Sequence, residues 1–189
     1  IGGGGTSYAA GNTFSITGNI TLYAQWTINT HTITYNANGG TGSQTDASSP
    51  YNYNTLVTVK DQGTMSRTGY SFDDWNTQAN GLGTNRAVGS TFFITSNVTL
   101  YAKWTLNSYD VIFDANGGSG TMSNQTIAYG ASANLTANSF TRTGYTFAGW
   151  ATTSGGAVAY ANSASYTMSS AADVTLYAKW TANSYTVTF

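Results

Sequence analysis

The chain has 189 residues, only 7% of them charged, with six Lys and Arg, seven Asp, no Glu and a formal net charge of −1. Six scattered cations make no basic face for nucleic acid, and the absence of cysteine removes disulfides, thiolate metal sites and cysteine nucleophiles. No run of about 18 apolar residues occurs, so no membrane span is expected in this fragment.

In chain order, the first punctuation is a seven-residue phrase. It reads TLYAQWT at residues 21–27 and returns as TLYAKWT at 99–105 and 175–181, offsets of 78 and 76 residues. Residues 3–27 align without a gap to 81–105, with 16 of 25 positions identical. Such self-similarity marks a tandem array of small modules. Residues 1–27 are expected to be the C-terminal part of a truncated repeat. Complete units follow at 28–105 and 106–181, and residues 182–189 restart the cycle as a first strand.

Each unit opens on an alternating segment, residues 30–35 or 108–113, expected as a strand with Ile33 and Tyr35, or Tyr109, Val111 and Phe113, facing inward. The turn phrases NANGG (36–40) and DANGG (114–118) follow. Their glycine pairs, Gly39 with Gly40 and Gly117 with Gly118, are expected to supply positive φ. A polar loop leads to short strands near 56–59 and 132–135, and there is room for one helical turn before RTGY at 67–70. The aromatic strands are YSFDDWN (70–76) and YTFAGWA (145–151), followed by Gly-rich turns, a minor strand and the closing TLYAKW. Alternation turns Leu100 and Trp104 inward, with Leu176 and Trp180 in the second unit. Tyr101 and Lys103 then face outward. The expected core is Tyr35, Tyr70, Phe72, Trp75, Leu100 and Trp104, and Phe113, Tyr145, Phe147, Trp150, Leu176 and Trp180. Large aromatics suit so small a unit, because each buries about 150–250 Å². The fold class is mostly β.

The fixed order of a strand ending in DANGG, then RTGYTFAGW, then TLYAKWT resembles the Listeria–Bacteroides repeat, over the whole chain. The resemblance implies a small β-grasp-like module repeated in secreted or cell-wall-attached bacterial proteins, where such modules serve as stalks or spacers and sometimes contribute to adhesion. It carries no catalytic residues. The first unit departs from the pattern at Asp73–Asp74, where the second has Ala148–Gly149, and at His31, where Tyr109 and Tyr185 stand.

The chemistry legible in the residues is sparse. His31 is the only histidine and is not repeated, which leaves a Ser-His-Asp arrangement without a repeated base. Asp73 and Asp74 are adjacent in an expected strand, so alternation turns them to opposite faces. The NGG turns lack the Lys-Ser/Thr of a phosphate loop. Lys103 and Lys179, the repeated lysines, face outward and become Gln25 in the first copy, which argues against an isopeptide crosslink. The candidate surface contacts are Tyr23, Tyr101 and Tyr177, whose rings could stack on sugars. No enzyme activity, cofactor or metal is expected. The expected role is an extracellular structural repeat, with neighbouring repeats as its partners. The alternatives are a filament joined by strand addition through residues 185–189, or a module binding a glycan or host protein.

Overall fold

A computed structural model describes residues 5–189. Fourteen strands and no helix are found among them. The first unit holds β1 (Thr30–His31), β2 (Ile33–Asn36), β3 (Tyr51–Asn52), β4 (Thr55–Thr58), β5 (Tyr70–Asn76), β6 (Asn85–Arg86), β7 (Thr91–Ile94) and β8 (Val98–Leu106). The second holds β9 (Ser108–Asp114), β10 (Gln125–Ala128), β11 (Ser132–Asn134), β12 (Tyr145–Ala151), β13 (Ser165–Thr167) and β14 (Val174–Ala182).

Both units are wound alike. The closing strand is central: β8 pairs in parallel with β2 and antiparallel with β5, and β14 does the same with β9 and β12. One strand extends each sheet further, giving β2-β8-β5-β6 and β10-β9-β14-β12. Two-stranded ribbons, β4–β7 and β11–β13, complete the units. The opening strand of unit one is interrupted at Thr32, whereas β9 runs unbroken, although both units make the same side-chain bond there: Thr32 N–H to Asn97 Oδ1 at 2.9 Å, and Asp110 N–H to Asp173 Oδ1 at 2.8 Å. The neighbouring edge also differs. Pro50 stands beside β3 and has no N–H to give the ladder, and β3 has two residues where its counterpart β10 has four.

Alternation along the closing strand buries Leu100 and Ala102, and Leu176 and Ala178, completely. Trp75 and Trp150 are fully buried at the two core centres. Aromatic rings surround them: Tyr35 and Phe72 lie edge-on at 4.8 and 5.1 Å from Trp75, while Phe147 lies edge-on at 4.9 Å and Phe113 tilted at 4.8 Å from Trp150. Val57, Val59, Met65 and Ile94 close the first core, and Leu135, Phe140, Tyr166 and Met168 the second. The two clusters share no residue.

Several expectations are corrected. No helical turn precedes RTGY. Met65 instead sits in a turn, its N–H bonded to Gln62 O, with its side chain buried. Tyr145 is 38% exposed and Tyr70 only half-buried, because each ring lies under an arginine at the sheet's end rather than in the core. Residues 1–4 of the expected truncated repeat lie outside the described residues. Residues 21–27 are not a strand, and Trp26 is 90% exposed. β8 and β14 are each held by two neighbours, and the described residues offer 21–27 neither. Residues 183–189 likewise pair with no strand and are exposed.

Candidate functional site

The repeated motifs converge on one corner of each unit. In the NANGG turn, Asn38 adopts φ 47° and its N–H bonds to Asn36 Oδ1 at 2.8 Å. Its Nδ2 donates to Ala102 O in the closing strand and to Ala79 O in the following loop. Trp104 Nε1 donates to Ala37 O at 2.8 Å. The second unit repeats the set with Asn116, Ala178, Ser154 and Trp180 to Ala115 O. The turn is therefore stapled to the closing strand, which satisfies buried polar groups and shields the sheet end.

The glycine pair splits its tasks. Gly39 and Gly117 take φ of 87° and 85°, but Gly40 and Gly118 do not have positive φ, contrary to expectation. They are needed for close approach. A Cβ at Gly40 would lie 2.7 Å from Ser66 O and 2.8 Å from Trp104 Cζ2, and one at Gly118 would lie 2.6 Å from Trp180 Cζ2. Asparagine, which tolerates the left-handed region, takes the other positive φ.

The RTGY phrase makes a turn in which Tyr70 N bonds Arg67 O and Tyr145 N bonds Arg142 O, both at 3.0 Å. The guanidinium of Arg67 stacks 3.9 Å above Tyr70, and that of Arg142 lies 4.1 Å above Tyr145. In the first unit Asn38, Arg67, Gln78, Asn80, Lys103 and Trp104 help line a cleft of about 310 Å³. Asn76, at its wall, is buried and spends its amide on Gly81 O, Gly83 O and Asn85 Oδ1. It holds the loop, with no donor left for a ligand.

The charged groups are placed for structure. A bulge between Phe72 and Asp74 breaks the alternation, so Asp73 and Asp74 do not turn to opposite faces. Asp74 sits opposite Lys103 in the ladder, and Asp73 Oδ2 reaches Lys103 Nζ at 2.8 Å. The Asp73 hydrogen bond and charge raise the Lys103 pKa, with a lesser contribution from Asp74. Lys179 faces Gly149 instead. Both side chains of the Lys103–Asp73 pair are exposed, so Lys103→Ala should leave the melting temperature nearly unchanged, and any small effect should vanish at high salt.

Asp46 is the buried carboxylate. It accepts from Tyr51 OH at 2.7 Å and Ser48 N–H at 3.1 Å, with Lys60 Nζ 3.8 Å away. Burial and the bond to Asp46 raise the Tyr51 pKa; burial also raises those of Tyr35 and Tyr166. A tyrosine whose folded pKa exceeds its unfolded value stabilises the fold below about pH 10, and that contribution is lost as pH climbs through the folded value. Melting temperatures measured from about pH 8 upward should therefore fall above about pH 10, and Tyr51→Phe should blunt the fall.

His31 is half-buried and sits edge-on to Tyr53 at 6.0 Å, as Tyr109 does to Tyr129 at 6.5 Å. Among the described residues no three His, Cys, Asp or Glu gather as a metal site would require. Tyr101 and Tyr177 are half-buried at equivalent places in the ladder, and Tyr23 is exposed in the segment outside the sheets. No helix among the described residues is long and apolar enough to cross a membrane.

Two glycines and an asparagine not singled out from the sequence have evident work. Gly69 is buried and Asn107 is the one residue between β8 and β9, while Gly42 (φ 85°) lies against the Thr64 backbone. Their signal is repetition: RTG and N-S-Y recur, as does the Gly two residues after NGG.

Among curated proteins, a "Putative Gly-rich membrane protein" of Evansella cellulosilytica is 36% identical over 170 residues, covering 89% of this chain and 19% of that protein. A "Putative membrane protein" of the same organism is 38% identical over 94 residues, 49% of this chain and 14% of that protein. The chain thus spans about a fifth or less of the length of these relatives. No solved structure matches. The Listeria–Bacteroides repeat domain matches residues 2–25, 31–103 and 109–179, which takes in the Asn38 and Asn116 turns and ends one residue short of Trp104 and Trp180. The chain belongs to the Listeria–Bacteroides repeat domain family.

Proposed function

We propose that this chain is a non-catalytic structural repeat, a stalk or spacer segment of a bacterial cell-surface or secreted protein. The observation that carries this is the pairing of two separately cored units through a single residue, Asn107, between consecutive strands. So short a link passes displacement from one unit to the next, which a Gly/Ser tether would absorb. The motif residues are spent on the fold: tryptophan N–H to turn carbonyl, asparagine amide to strand and loop, arginine over tyrosine. The relatives' printed names as membrane proteins support a setting at the cell envelope, and the weakly charged, Thr-, Ser- and Asn-rich surface suits an exterior protein.

Small-angle X-ray scattering with light scattering on the purified chain tests this. The expected result is an elongated monomer. A compact particle would overturn the spacer role. Concentration-dependent linear growth would favour a filament fed by residues 185–189, where Tyr185 and Val187 are exposed. Binding of oligosaccharides with signal changes at Tyr101 and Tyr177 would favour the glycan-binding role.

A further inference from the structure

The junction between the repeats is built as a socket. Asn107 donates its N–H to Gly69 O at 2.9 Å in the RTGY turn of the first unit, and its C=O accepts from Tyr129 N–H at 2.9 Å in the second. Its side chain is engaged on both sides as well. Oδ1 accepts from Ser71 Oγ at 2.8 Å, and Nδ2 donates to Tyr109 OH at 3.3 Å. With four bonds to two units, the φ and ψ of this one residue are held. The Tyr129 ring lies directly on Gly69: a methyl group there would penetrate the ring. Gly69 is accordingly buried.

The same parts recur, half-used, at the outer ends. Asn183 N–H bonds Gly144 O at 2.9 Å, and its Oδ1 accepts from Thr146 Oγ1 at 2.7 Å, repeating the bonds Asn107 makes to the unit before it. Gly144 is exposed, with nothing within 4 Å of where a Cβ would stand. Asn29 O accepts from Tyr53 N–H at 2.7 Å, repeating the bond made to the unit after it, and Tyr53 is 51% exposed. Gly69 and Gly144 share one turn and nearly one φ, 77° and 76°, and they differ in whether a neighbour's tyrosine covers them.

We infer that the RTGY turn is a docking socket for the tyrosine-bearing turn of the next repeat, so that each junction sets a fixed angle. The occupant of the Gly144–Asn183 socket is then a following repeat that presents a tyrosine at the position of Tyr53 and Tyr129. The inference rests on the spacer role and specifies a stiff spacer over a jointed one. It also gives the RTGY glycine a purpose beyond its φ: a side chain there would expel the neighbour.

The cysteine-free chain allows a direct test. Spin labels at Thr91→Cys and Ser165→Cys, exposed on β7 and β13, report the distance between units by pulsed electron resonance. The expected result is one narrow distance distribution. Tyr129→Ala should broaden it by about twofold or more, toward the free relative motion that small interdomain contacts permit. Tyr129→Phe should keep it narrow, and so should Tyr53→Ala, which removes the equivalent ring away from the junction between the two labelled units. Amide spectra confirm that both units stay folded in each variant. A distribution already broad in the unsubstituted chain, or unchanged by Tyr129→Ala, would overturn the socket. An elongated monomer with broad distances would sink the socket alone and leave a jointed spacer, whereas a compact particle would sink the spacer role.

Discussion

Trp150→Ala is expected to remove about half of the second repeat's stability and leave the first unchanged. A unit of this length has about 4–11 kcal/mol of stability at typical per-residue values, and truncating a fully buried tryptophan costs about 3–5 kcal/mol. The loss is enlarged by the rings that depend on it, since Phe113, Phe140 and Phe147 all pack on Trp150. Because the two cores share no residue, amide spectra followed through a denaturant titration should lose the dispersed signals of β9–β14 at a much lower midpoint while those of β2–β8 are lost where they were before. The equivalent Trp75→Ala should do the converse. Milder substitutions separate the two sites. Trp75 Nε1 donates to Lys60 O at 2.8 Å, whereas Trp150 Nε1 is buried and finds no acceptor among the described residues. Trp75→Phe forfeits a hydrogen bond and strands a carbonyl; Trp150→Phe removes an unsatisfied donor. The first should cost more than the second by about 1–3 kcal/mol, measured by denaturant unfolding.

Gly42→Ala is expected to be the most damaging glycine substitution, and Gly120→Ala, its counterpart, much milder. Gly42 has φ 85°, and an added Cβ would overlap Thr64 O and the backbone that follows it. Those atoms cannot retreat easily, because Ser43 N–H bonds Thr64 Oγ1 and Thr64 N–H bonds Ser43 O. Positive φ costs roughly 1–2 kcal/mol for an ordinary residue, and the overlap adds about 1–3 kcal/mol more. Gly120, at φ 103°, has its nearest neighbour 3.6 Å from where a Cβ would stand, so only the φ cost remains. Unfolding midpoints of the two units in each variant measure the difference.

Much of this architecture was legible because one signal, the 76- to 78-residue period, aligned three copies of the closing strand. Alternation then gave the inward faces of Leu100 and Leu176, which lie at 0% exposure. Alternation failed where the ladder itself is irregular. It turned Asp73 and Asp74 apart because a bulge cannot be read from the letters, and it put Tyr145 inward because RTGY leads into the end of a strand, where arginine is the nearest cover. The short strands β1, β3 and β6 have two residues each, too few to show a period. Segment 21–27 carries the letters of the closing strand but lacks its neighbours, and it is not a strand. Strand propensity there depends on partners, since β8 and β14 are central. The socket was invisible for a related reason: Gly69 and Gly144 stand in the same RTGY phrase, and only the presence of Tyr129 distinguishes them.

Amide hydrogen exchange across the intact chain is the most direct discriminator of two separately cored repeats joined by an ordered junction. Two groups of slow amides are expected, one centred on Leu100 and Ala102 and one on Leu176 and Ala178, each with its own opening free energy. Asn107 and Tyr129 should exchange slowly with them, while residues 21–27 exchange at the rate of an open chain. A single common opening free energy for both groups, or an Asn107 amide that exchanges as fast as Thr27, would contradict it.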